Sequence, residues 1–152
     1  MTRNEELRRL LKAFRRVAHT LDVHSCRIST SSGLTLPQLV VLSCVRDLGE
    51  VTSRAISQEA DISPATVVGI LDNLAAKGLI ERYRSTRDRR VVHTRPTEAG
   101  VRALDQAPSP FGDAFEAAYF NLDRKRRGEI IDAFEEVLSL TPVATINNVE
   151  DR

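Results

Sequence analysis

The 152-residue chain has no tryptophan, one methionine, two cysteines and three histidines. Two cysteines, Cys26 and Cys44, are too few for a disulfide scaffold and stand in no paired metal-ligand spacing. The histidines are scattered, with no recognisable nucleophile partner. A phosphate-cradling glycine loop and a His-Glu-x-x-His cluster are also missing, so nothing supports an enzyme, a metal centre or a cofactor. The first residues, Met1-Thr2-Arg3-Asn4-Glu5-Glu6, are polar and lead into no signal-peptide core, and no stretch approaches the apolar length of a membrane span. The expectation is a cytoplasmic protein with no membrane partner. Net charge is lacking too: 22 basic against 21 acidic residues leave +1.

What is present is ordinary for one globular domain, 41% hydrophobic and 28% charged. The balanced sum hides a local excess. Ser63 is a good N-cap, Pro64 suits the first helical position because its missing N–H would have no partner there, and Gly78 is a good stop, so a short helix is bounded by chemistry. Val67, Ile70, Leu71 and Leu74 form its apolar stripe, while Thr66, Gly69, Asn73 and Lys77 fall on the other side. Between Leu79 and Arg95 a hairpin then carries six arginines against two acids, densest in Arg87-Asp88-Arg89-Arg90. Crowded arginines repel one another, and a phosphate backbone relieves that repulsion.

This helix and hairpin, with the helix before them, resemble the winged helix-turn-helix of the MarR family of transcriptional regulators. The matching features are Leu34-Thr35-x-x-Gln38 opening a helix, Leu74-x-x-Lys77-Gly78-Leu79-Ile80-x-Arg82 leaving the recognition helix, Asp88-Arg89-Arg90 in the wing, and Thr97-x-x-Gly100 opening the next helix. The resemblance implies a mainly α fold with a small β-wing, a winged helix-turn-helix flanked by N- and C-terminal dimerisation helices. Residues 1–33 are then the N-terminal dimerisation helix and linker, 34–96 the DNA-binding region, 97–140 the C-terminal dimerisation helices and 141–152 a tail.

The rest of the chain agrees with that division. From Glu5 to about Ile28, Leu7, Leu10, Phe14, Val17 and Leu21 follow an alternating three-four spacing, and Arg8, Arg9, Lys12, Arg15 and Arg16 read as a solvated face. Ser29-Thr30-Ser31-Ser32-Gly33 reads as a helix-poor linker, and Thr35-Leu36-Pro37-Gln38 as a capping box opening a buried central helix that holds Cys44. Val51-Thr52 is a candidate strand beside the wing, and Thr52 or Ser53 caps the first helix of the helix-turn-helix. Pro108-Ser109-Pro110 must break the helix that starts at Thr97. Asp123 caps a last helix whose stripe includes Ile130, Phe134 and Val137.

The expected partners are double-stranded DNA with a pseudo-palindromic site and a second copy of the chain, the latter implied by the resemblance. Ser63, Thr66, Lys77 and the backbone N–H groups beside Pro64 are candidate phosphate contacts, and Ala65, Thr66, Val68 and Asn73 candidate base contacts, with Gly69 allowing close approach. In the wing, Arg84, Arg87, Arg89 and Arg90 are the candidate cations. By resemblance, Asp88 orients Arg90 for the minor groove, and a repressor is released by a small phenolic or anionic ligand or by cysteine oxidation. His19, His24 and Arg27 are the candidate effector contacts. Cys26 is the candidate redox thiol, beside a charge that favours a thiolate, although an ordinary semi-buried cysteine is the favoured reading. A winged-helix module that binds protein instead would carry a neutral or acidic wing.

Overall fold

The computed structural model describes residues 1–141, so all but the first residue of the expected tail lies outside the described residues. In chain order the elements are α1 (Arg3–Ser32), α2 (Leu36–Leu48), α3 (Ser53–Ala60), α4 (Pro64–Ala76), β1 (Ile80–Arg84), β2 (Val92–Pro96), α5 (Glu98–Gln106), α6 (Asp113–Phe120) and α7 (Arg124–Leu140). The mainly helical architecture with one small antiparallel sheet is the expected one. No single helix among the described residues is long and apolar enough to cross a membrane.

Polar residues start these helices as the sequence requires. Thr2 and Thr35 head complete capping boxes, with the side chains of Glu5 and Gln38 reaching back to the cap N–H groups. Thr52, Ser63, Thr97 and Asp123 each accept one orphan N–H of the helix that follows. The Ser29–Gly33 linker expectation is corrected: α1 continues to Ser32. The hydroxyls of Thr30 and Ser32 bond the carbonyls of Cys26 and Ile28, and Gly33 then ends the helix in the left-handed region at φ 68°.

Ile28, Leu34, Leu42, Val45, Ile56, Leu71 and Leu74 are among the buried residues that bring the end of α1 together with α2, α3, α4 and β1 in one core. Val51 bridges Thr94 of β2, adding the expected third edge to the wing. Residue 97 is not a break, because α5 packs against α2 and β2. Gly100 explains why: it is buried, and a Cβ there would overlap the Leu79 carbonyl oxygen. Thr97 completes the junction by donating its hydroxyl to the Gly78 carbonyl at 2.7 Å. The compact division falls instead after Gly112, just beyond the proline break.

The unit that begins at Asp113 holds α6 and α7. Neither helix has a buried residue, and Phe115, Phe120, Ile131, Phe134 and Leu138 are exposed, while Ile130 and Val137 are half-buried. In the first unit, Leu7, Leu10, Leu11, Phe14 and Val17 of α1 are exposed as well.

Candidate nucleic-acid interface

The recognition helix α4 divides cleanly by face. Val67, Ile70, Leu71 and Leu74 are buried, and Ala65, Thr66, Val68, Gly69 and Asn73 are exposed, Val68 by 45%. At its start the Ser63 hydroxyl accepts the Thr66 N–H at 3.3 Å and lies 2.8 Å from the Thr66 hydroxyl, so both side chains sit beside the free N–H groups of the first turn. Anions favour such an end. Asn73 donates its amide to the Gly69 carbonyl of its own helix at 3.1 Å, leaving its side-chain oxygen as the acceptor it can offer outward. Gly69 itself meets nothing within 4 Å of where a Cβ would stand. Nothing inside the chain requires glycine there.

Lys77 already has partners within the chain. It is the residue that ends α4, and its ammonium donates to the Gly33 carbonyl at 2.8 Å and to Gln38 Oε1 at 3.5 Å. A phosphate contact would have to compete with those acceptors.

In the hairpin, β1 pairs antiparallel with β2 in the register Ile80↔Pro96, Arg82↔Thr94 and Arg84↔Val92. Its arginines separate into two groups. Near the base, Arg82 pairs with Asp72, and Arg95 binds Glu81 at 2.9 Å while lying 5.0 Å over the Tyr83 ring, which in turn meets His93 edge-on. Towards the tip, Arg87, Arg89 and Arg90 are exposed and have no ion pair among the described residues.

The tip is held by polar backbone contacts rather than by packing. Ser85 Oγ accepts the N–H groups of Arg87 and Asp88, Ser85 and Val91 close the turn at 2.9 Å, and Arg84 donates to the Arg89 carbonyl at 3.3 Å. Arg84 is therefore partly spent on the scaffold of its own turn. Asp88 accepts the backbone N–H of Arg90 at 2.9 Å, an Asx-type turn. The acid thus fixes the backbone that carries Arg90 and makes no ion pair with its guanidinium.

The candidate effector and redox residues do not assemble into a site. His19 and Arg27 are exposed, and the His24 ring lies against Gly112, where a Cβ would overlap it. A groove of about 340 Å³ lies elsewhere, between α2, the end of α5 and the proline segment; Leu39, Val40, Cys44, Asp47, Glu59 and Leu104 are among its lining. No lysine, arginine or histidine lines it. Partial burial, then the charges of Glu59 and Asp47, push the Cys44 thiol above its usual range. Cys26 is exposed. Sequence patterning could not have found this groove, since its walls come from segments far apart in the chain.

Residues 34–92 match the model of the MarR family. The HTH-type transcriptional repressor MdtR of Bacillus subtilis is 34% identical over 68 residues, which are 45% of this chain and 44% of that protein. The chain thus spans less than half the length of that relative. Among solved structures, the transcriptional regulator BldR of Sulfolobus solfataricus superimposes with a TM-score of 0.71 at 18% identity, over 93% of this chain and 100% of BldR. The S. aureus MepR–DNA complex gives a TM-score of 0.70 at 20% identity, over 86% of this chain and 96% of the MepR chain.

Proposed function

We propose that the chain, whose residues 34–92 match the MarR family model, is a dimeric, sequence-specific DNA-binding transcriptional repressor of that family rather than an enzyme. One observation carries the reading: the hairpin neutralises Arg82 and Arg95 near its base and leaves Arg87, Arg89 and Arg90 without ion pairs at the tip. A tip of that kind suits a phosphate backbone or the concentrated negative potential of a narrow minor groove. Beside it, α4 presents Ala65, Thr66 and Val68, suited to thymine methyl groups. Base reading by so few polar groups shifts weight onto the wings and onto DNA shape.

The test is binding of the purified protein to a labelled duplex from immediately upstream of its own gene, against a scrambled duplex, across a salt series. Tight, selective binding with a measurable salt slope is expected. Arg90→Ala should lower the selective affinity by about 1–3 kcal/mol for each wing, with the dimer intact by sedimentation. Unchanged affinity would remove Arg90 from the interface. No binding even at low salt would instead favour a protein-binding winged helix.

Release by a small molecule belongs to the same reading, with the groove on α2 and α5 as its site. Asp47 and Glu59 in the lining oppose the anionic ligand expected from the family resemblance and favour an apolar neutral or cationic one. Titration with tetraphenylphosphonium and with salicylate separates the two classes: tighter salicylate binding would reverse the assignment.

A further inference from the structure

The exposed Lys77 ammonium has two protein acceptors remote in sequence, 44 and 39 residues away. Gly33, whose carbonyl it binds at 2.8 Å, is the left-handed cap that ends α1. A helix C-terminus presents unpaired carbonyls and partial negative charge, which a basic side chain in the last turn usually meets. The last turn of α1 has no basic residue. Lys77 supplies that charge from another helix.

The second acceptor belongs to another helix end. Gln38 Oε1, 3.5 Å from the ammonium, also accepts the Thr35 N–H at 3.1 Å, which is half of the capping box that starts α2. The backbone of Lys77 meanwhile closes α4, donating to the Asn73 carbonyl at 3.0 Å just before Gly78 turns the chain into the wing. One side chain therefore meets the end of α1 and the start of α2 from the end of α4. The 2.8 Å bond to Gly33 has the short length of a charge-assisted hydrogen bond, whereas Gln38 is a longer, weaker second contact.

We propose that Lys77 is a positioning residue for DNA reading: its ammonium fastens the recognition helix to the end of α1 and the cap of α2, so that the angle of α4 follows α1. The proposal rests on the DNA-binding reading above. It gives a displacement of α1 a direct mechanical route to the helix that would enter the groove. It also assigns Lys77 a task that a phosphate contact would not perform.

Three full-length proteins test it: the native chain, Lys77→Met, which keeps the length but removes the charge, and Lys77→Arg. Thermal melts confirm that the variants fold. On DNA, Lys77→Met should lose roughly tenfold in affinity for the selected duplex and little for the scrambled one, with the salt slope unchanged, and Lys77→Arg should recover most of the loss. Equal losses on both duplexes, with a salt slope smaller by about 0.9 for each lost contact, would make Lys77 a phosphate contact and overturn the proposal. Native protein that fails to discriminate the duplexes would sink the regulator reading instead. Hydrogen exchange in the free protein decides the fastening by itself. In Lys77→Met the amides of the last turns of both α1 and α4 should exchange several-fold faster, and unchanged exchange in either turn would overturn the proposal whatever the DNA result.

Discussion

Helices α4 and α1 carry the same kind of pattern and meet opposite fates. The stripe of α4 is buried, with Val67 and Leu74 at 0% exposure, against α2, α3 and β1 of its own chain. The stripe of α1 is open, with Leu7 at 55% and Leu10 at 46%, until Ile28 enters the core. Periodicity states that a helix has an apolar face and says nothing about whose surface covers it. At 30 residues α1 is about 45 Å long and outreaches the module that takes its last turn. The exposed apolar face from Leu7 to Val17 is open to a partner, and in the proposed dimer that partner is the second copy of the chain.

The comparison breaks first at its buried side. Leu74→Ala removes a fully buried side chain from the last turn of α4 and should cost about 2–5 kcal/mol, read by chemical denaturation. A loss below 1 kcal/mol, on the scale expected of surface substitutions, would mean that the stripe is not core. Phe14→Glu tests the open side. It should weaken self-association by about 2 kcal/mol or more, because an unpaired carboxylate would enter a desolvated contact. The winged-helix core should remain folded, with sedimentation reporting the monomer. A dimer unchanged by this substitution would leave the α1 face without the proposed partner.

Much of the fold was legible because its signals are local. Thr35 with Gln38, Ser63 with Pro64, and Pro108-Ser109-Pro110 act within four residues of themselves, and each did what its chemistry dictates. The stripe of α4 was legible for the same reason, and at Val51 the expected short strand is a single bridge to Thr94. Ser29–Ser32 was misread because hydroxyl groups that disfavour helices on average can also bond back to the preceding turn, as Thr30 and Ser32 do. The site was less legible than the fold. Residue types named Arg84, Arg87, Arg89 and Arg90, but only the structure shows Arg84 spent on the Arg89 carbonyl and the ion-pair partners of Arg82 and Arg95. The acceptors of Lys77, Gly33 and Gln38, lie too far away in sequence for the local pattern to show them.

Gly69 and Gly100 sharpen the contrast between inward and outward faces. Gly100 is buried against the Leu79 carbonyl, so Gly100→Ala must push the start of α5 off the end of α4 and should cost about 1–3 kcal/mol. Gly69 lies in the middle of α4 with open space beside it, where glycine costs about 1 kcal/mol of helix stability relative to alanine. Gly69→Ala should therefore stabilise the free protein by about 0.5–1 kcal/mol, raising its melting temperature by a few degrees. The same methyl group would stand on the face that meets the groove, so affinity for the selected duplex should fall while the fold gains. Opposite signs in the two measurements would show that glycine is kept at this position for something outside the chain. A variant that gained stability and kept full affinity would mean that DNA does not approach α4 at Gly69, and the recognition face would then have to be redrawn around Ala65 and Thr66.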